Sequence, residues 1–284
     1  MQNSFKYIQS LIQLLPFIQK YSGKIIVIKY GGSAMQNEQL KQSVIEDIIF
    51  LYSIGIKLIL VHGGGPVIDK WLLKCNIKPK FYNGIRITDY ETMEIVEMVL
   101  VGKVNKELVN LINKNHDYAI GLSGKDGKLL SASSLFDVPH NLVGKIDSIN
   151  DEFLNLLINS NYIPVIASVA SGSDGVTYNI NADTVAGAIA KALNAEKLVL
   201  LTDTPGIMHN LNDIKTLEKK LDTSQIYQLK QQKIISGGMI PKVDCCIDAL
   251  QSNVKSAHII DGRLNHSLLL EILTSERIGS MLTL

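Results

Sequence analysis

Three short stretches of this sequence set glycines beside a cation or at the end of an apolar run, where an anion could be held. Gly31 and Gly32 follow Lys29; Gly63, Gly64 and Gly65 follow His62; Gly237 and Gly238 precede Lys242. Glycine lets backbone N–H groups approach a ligand closely, and a helix N-terminus adds partial positive charge, so such loops suit phosphates and carboxylates. Glycines after strands are also plain turn residues, and a lysine at a strand end is ordinary on a surface. The joint pattern is what points to anions. Lys242, early in a helix, opposes the helix dipole, which favours an anion bound beside it. Asp183 follows Asn181, a good N-cap, and reads either as a first-turn acid or as a functional carboxylate. Arginine occurs only at Arg86, Arg263 and Arg277, so each planar fork able to grip a carboxylate with two prongs stands out. Neither a Walker-type phosphate loop nor a dinucleotide fingerprint is present, and no three or four carboxylates fall at metal-ligand spacing.

The elements that must position these residues alternate. Short apolar runs suited to buried parallel strands occur at 25–29, 58–61, 119–122, 163–167, 197–201 and 256–260. Helical spacing falls between them at about 38–54, 90–115, 151–160, 182–194, 223–232 and 242–252, and Pro66 suits the first turn of a further helix. This pattern predicts an α/β protein with a mainly parallel sheet covered on both faces, in which ligands bind beyond the carboxyl ends of the strands. Segments 128–149 and 168–180, rich in Ser, Gly, Asp and Asn, read as hairpins on this core. Residues 3–21, with Phe5, Ile8, Ile12, Leu15 and Ile18 at helical spacing and Pro16 interrupting, predict a kinked amphipathic helix ahead of it. The helix carrying Met93, Val96 and Leu100 serves either the core or a dimer face.

The 284 residues carry 28 basic and 27 acidic side chains, a net charge of +1, so no global field draws nucleic acid or an anionic membrane. Cys75, Cys245 and Cys246 form neither a disulfide framework nor a zinc set and read as reduced thiols. No secretory signal and no bilayer-spanning stretch is expected. Richness in lysine, isoleucine and asparagine points to an AT-rich genome, of which a plastid genome is one setting; the expected compartment is the plastid stroma, with a bacterial cytoplasm as the alternative.

Six motifs in order, IVIKYGGSAM (Ile26–Met35), LVHGGGP (Leu60–Pro66), NGIRITD (Asn83–Asp89), YNINADTVAGAIA (Tyr178–Ala190), LLTDTPGIM (Leu200–Met208) and GGMIPKV (Gly237–Val243), resemble the amino acid kinase family. The glycine loop with NGIRITD narrows the resemblance to the acetylglutamate branch, from about residue 24 onward. The resemblance implies a three-layer αβα sandwich with a substrate lobe at about 24–175 and an ATP lobe at about 176–284, residues 1–23 forming a helix for oligomerisation and regulation. It implies phosphorylation of the γ-carboxylate of N-acetyl-L-glutamate by ATP in arginine biosynthesis, with Mg²⁺ carried on the phosphates. It assigns Lys29 and Lys242 to the phosphoryl group in transit, and Asp183 to orienting them. Gly64, Gly65, Arg86 and Asn179 fall to the acceptor, and Gly32, Thr202 and Asp203 to the nucleotide. His62 shapes its loop in this reading, since no step demands a proton carrier.

The helix at 3–21 and the stretch His266–Met281 also resemble arginine-sensitive members, in which such helices interlace dimers into a hexameric ring. Glu276 and Gly279 match effector-holding positions there, while Arg277 departs from the glycine usual after that glutamate. A PII-type nitrogen signal protein is a further partner the resemblance suggests. Two rival functions remain: a kinase of another small acceptor (glutamate, aspartate, carbamate or a nucleoside monophosphate) and a non-catalytic arginine or nitrogen sensor. Arg86 argues against the first because it suits a free α-carboxylate; retention of Lys29, Asp183 and Lys242 argues against the second.

Overall fold

The computed structural model describes residues 2–82, 85–114, 116–136, 138 and 140–284, without the side chains of 2–7, 10, 33 and 34. Asn83 and Gly84 of NGIRITD and the side chain of Phe5 therefore lie outside the described residues.

In chain order the elements are α1 (Gln2–Tyr21), β1 (Ile25–Tyr30), α2 (Glu38–Ser53), β2 (Lys57–His62), α3 (Gly65–Lys74), β3 (Phe81–Tyr82) and β4 (Ile85–Arg86). Helix α4 (Tyr90–Glu97) then runs through a π-helical stretch, Met98–Val104, into α5 (Asn105–Ile112). There follow β5 (Ala119–Ser123), β6 (Leu130–Ser134), β7 (Gly144–Ile149), α6 (Asp151–Asn159), β8 (Ile163–Ala167), β9 (Val169–Ser171) and β10 (Thr177–Asn179). The chain closes with α7 (Ala182–Ala192), β11 (Lys197–Thr202), β12 (Lys220–Asp222), α8 (Thr223–Gln231), α9 (Met239–Gln251), β13 (Ser256–Asp261), α10 (Ser267–Leu273) and β14 (Ser280–Thr283).

Eight strands form the central sheet in the order β12-β14-β13-β11-β1-β2-β8-β5. From β13 to β5 every pairing is parallel, and β14 runs antiparallel to β13 at one edge. Side chains of a strand alternate faces. In β1, Ile26, Ile28 and Tyr30 enter a core shared with α2, the α4–α5 run and α10. Val27 enters the opposite core with α6, α7 and α9. The same parity sends Lys29 to the α7 side, toward Asp183. Helices thus cover both faces, and the layers are those of an αβα sandwich.

The two expected hairpins exist but merge into one four-stranded sheet, β10-β9-β6-β7. Helix α1 is continuous through Pro16. Its Tyr21 is buried, Leu14 and Phe17 pack against the core, and Ile8, Leu11, Ile12 and Leu15 are exposed. Met93, Val96 and Leu100 belong to this chain's own core; Met98, 64% exposed, marks the outward side of that helix. Among the described residues, no helix is long and apolar enough to cross a membrane.

Candidate active site

The carboxyl ends of β1 and β2 lie side by side, with Tyr30 opposite His62, and the Gly63 N–H donates to the Tyr30 carbonyl at 3.2 Å. The two glycine loops therefore open at the same place. Across from them is the N-terminus of α7, where Asn181 caps the helix by accepting from the N–H groups of Asp183 (2.7 Å) and Thr184 (3.3 Å). That cap turns Asp183 inward, and its carboxylate is buried.

Two ammonium groups converge on it. Lys29 Nζ, from the end of β1, lies 3.0 Å from Asp183 Oδ1, and Lys242 Nζ, from α9, donates to Oδ2 at 2.6 Å. Helix α9 begins at Met239, earlier than expected, so Lys242 stands at its fourth residue. Burial alone would push the Asp183 carboxyl up; the charges of Lys29 and Lys242 outweigh it and hold the group below the usual carboxylate range. The result is an ionised acid bridging two cations that come from opposite ends of the chain. Gly31 lies against Lys29, where a Cβ would stand 2.8 Å from Nζ. Gly32 has φ +78°, the left-handed region that favours glycine, and opens the short turn Gly32–Met35.

Beside this bridge is a cavity of about 190 Å³ whose lining includes Gly63, Gly64, Gly65, Arg86, Asn179 and Ala182. The four expected acceptor residues are thus brought together. Two partners not read from the sequence hold them. Asp69 accepts from Arg86 Nη1 at 2.6 Å, and the Gly65 carbonyl accepts from Nη2 at 3.3 Å, while the guanidinium carbon lies 4.8 Å from the Phe81 ring centroid. Thr88 Oγ1 accepts from Asn179 Nδ2 at 3.1 Å. Asp69 lies at i+4 from Gly65, one helical turn along α3, which is the one local signal that could have pointed to it. Nothing local links Thr88 to Asn179.

Thr202 ends β11 buried, with its hydroxyl donating to the exposed Asp203 at 3.2 Å. Glu276 is exposed, whereas Gly279 is buried where a Cβ would collide with the Ile259 carbonyl, and its N–H donates to Glu271 Oε2 at 3.3 Å. Glu271 also accepts from His258 Nδ1 at 2.8 Å, and Lys197 Nζ, 5.0 Å from the Tyr21 ring centroid, reaches His258 Nε2 at 3.0 Å. A buried polar chain, unforeseen from sequence, therefore joins the end of α1 to the loop before β14. A larger cavity, about 660 Å³, lies between β7, α7 and α9, with Ile146, Thr184, Gly187, Lys191 and Cys245 in its lining. What singles out the smaller cavity is its place beyond the ends of the strands, where both the Gly63–Gly65 loop and Arg86 line it and Ala182 joins it to Asp183. Among the described residues no three His, Cys, Asp or Glu side chains gather as a metal-holding group.

A profile of the amino acid kinase family matches residues 24–261. An acetylglutamate kinase of Gracilaria tenuistipitata var. liui is 63% identical, over 100% of both chains. Another, of Thermosynechococcus vestitus, is 53% identical over 97% of this chain and 93% of its own. Among solved structures, an N-acetylglutamate synthase from Neisseria gonorrhoeae, complexed with coenzyme A and N-acetyl-glutamate, superposes with a TM-score of 0.86 at 22% identity. The match covers 98% of this chain and 63% of that longer one. A carbamate kinase from Giardia lamblia bound to AMP-PNP gives 0.66 at 18% identity, covering 93% and 99%. At such identities the structural likeness speaks for the fold.

Proposed function

Because this chain belongs to the amino acid kinase family, we propose that the site transfers the γ-phosphoryl group of ATP to the γ-carboxylate of N-acetyl-L-glutamate, a step of arginine biosynthesis. The carrying observation is the Lys29–Asp183–Lys242 bridge beside a cavity lined by Gly64, Gly65, Arg86 and Asn179. A carboxylate is already anionic at neutral pH, so the nucleophile needs no base; the work is to align two anions and disperse their charge. Asp183 holds the two ammonium groups where that charge develops, and the lysines stabilise the phosphoryl group as it moves. The acceptor oxygen bonds to the γ-phosphorus while the bond from phosphorus to the β,γ-bridging oxygen breaks, giving an acyl phosphate and ADP.

Asn179 and the N–H groups of Gly64 and Gly65 hold the acceptor. Arg86 takes its α-carboxylate: of five guanidinium N–H donors, the contacts to Asp69 and Gly65 use two among the described residues. Gly32, Thr202 and Asp203 serve ATP, and Mg²⁺ brought with the nucleotide would neutralise part of the phosphate charge. The acceptor lobe spans about 24–175 and the nucleotide lobe about 176–284.

Arginine is the proposed feedback inhibitor, with Glu276 and Gly279 at its site and α1 as the coupling and hexamer-forming element. The exposed apolar residues of α1 and the polar chain from Tyr21 to Gly279 support this reading. Relatives from red algae and cyanobacteria fit a plastid stroma, with a bacterial cytoplasm as the alternative; a PII-type protein is a further proposed partner. Hydroxamate trapping of the product, with N-acetylglutamate, glutamate and aspartate compared, tests the activity. Turnover confined to N-acetylglutamate is expected; faster turnover of either other acid overturns the assignment.

A further inference from the structure

We propose that His62 and Asn105 are a positioning pair that sets the direction of the Gly63–Gly64 peptide and, through it, affinity for the acceptor; this rests on the acceptor site proposed above. His62 is fully buried at the end of β2 and does not line the acceptor cavity. Asn105 is equally buried, at the junction of the π-helical stretch and α5. Its amide nitrogen faces three acceptors: the carbonyls of Val165 (2.8 Å) and Leu122 (3.3 Å) and Nε2 of His62 (3.1 Å). The two carbonyls fix the amide orientation, because an amide oxygen turned toward them would be repelled. An amide nitrogen has no lone pair to accept with, so a proton on Nε2 would point at a donor and stay unpaired; Nε2 therefore carries none, and the two amide hydrogens are shared among the three acceptors. The imidazole proton is thereby placed on Nδ1, which donates to the Gly63 carbonyl at 3.0 Å.

That carbonyl belongs to the same peptide unit as the Gly64 N–H. In a planar trans peptide the two point in opposite directions, so tying the carbonyl toward His62 turns the Gly64 N–H the other way. Neither Gly64 nor Gly65 has a protein acceptor for its N–H among the described residues, as expected at the start of α3. Leu100 and Val104 close the loop from the side: a Cβ on Gly64 would lie 2.7 Å from Leu100 Cδ2 and 3.4 Å from Val104 Cγ2. The helical run carrying Asn105 therefore both orients the glycine loop and walls it in.

Two variants of His62 separate this role from general support of the fold. In H62N the side-chain amide can still donate from the Nδ1 position to Gly63. In H62Q the amide reaches the Nε2 position and can satisfy Asn105, but the Gly63 carbonyl loses its donor. The experiment measures KM for each substrate, calorimetric Kd for N-acetylglutamate, and Tm, in wild type and both variants. The expected result is an acceptor KM and Kd raised about tenfold or more in H62Q, about threefold or less in H62N, with KM for ATP steady. Equal acceptor affinities in the two variants overturn the proposal, as does a parallel rise of both KM values with a falling Tm. Wild-type protein that binds no N-acetylglutamate overturns the acceptor reading itself, and the positioning role with it.

Discussion

Lys242 donates to Asp183 across 59 positions of sequence, Nζ to Oδ2 at 2.6 Å, while the other carboxylate oxygen faces Lys29. One buried acid therefore stands between two cations that would otherwise repel. Replacing Lys242 by Ala should lower kcat by ~10² or more with the fold intact, the usual cost of removing one preorganised charge at a transferring group. Lys29→Ala should cost a similar amount, and the double variant less than the sum, because Asp183 couples them. Steady-state kinetics on the three variants, with circular dichroism for folding, checks this. Near-normal turnover in Lys242→Ala would remove it from the mechanism.

Arg86→Lys should raise KM for N-acetylglutamate by roughly tenfold, since an ammonium keeps the charge but cannot serve Asp69, Gly65 and a carboxylate from one rigid plane. KM for ATP should stay constant. Equal changes in both would place Arg86 outside the acceptor site.

The pH dependence of stability has a predictable sign. Burial lowers both His62 and His258 to about 4; for His62 the bond to Gly63 opposes this, and for His258 the bond to Glu271 does. Unfolded histidines take up protons near the ordinary value of about 6.5, so the unfolded state gains protons that the folded state refuses. These histidines should therefore add no slope above about pH 7, and stability should fall as pH drops from about 6.5 toward 4. Asp183, held below its ordinary range, adds a loss only below about pH 4. Thermal unfolding from pH 4.5 to 8 checks the slope, and His62→Asn should flatten it in part. A Tm that rises on acidification would contradict the buried neutral state.

Truncation can be placed by the packing of α1. Residues 1–13 include the exposed Ile8, Leu11 and Ile12, whereas Leu14, Phe17 and Tyr21 pack against the core. Deleting 1–13 should leave an active dimer that ignores arginine and keeps its Tm within a few degrees. Light scattering and inhibition curves test it: a truncated protein that stays hexameric, or remains fully inhibited, rejects α1 as the coupling element.

Much of the sheet could be read before the structure. The apolar runs at 25–29, 58–61, 119–122, 163–167, 197–201 and 256–260 became β1, β2, β5, β8, β11 and β13, with ends shifted by one residue at most. A fully buried parallel strand must be apolar along its length, so its signal is local. Strands β12 and β14, three and four residues long, carry no such signal, because pairing at the sheet edge defines them. The π-helical stretch at Met98–Val104 also escaped, since apolar spacing fits it and an α-helix alike.

By itself the sequence determined the kinds of groups at the site and the side of the sheet that each strand residue takes. Lys29 had to share a face with Val27, and the glycines had to follow the strands, because both are consequences of neighbouring residues along one chain. Only the tertiary structure decided which distant groups meet: Asp69 on Arg86, Thr88 on Asn179 and Asn105 on His62. Those pairs are 17, 91 and 43 positions apart. A hydrogen bond between such residues depends on sheet register and helix phase, and a few ångströms of either would dissolve it.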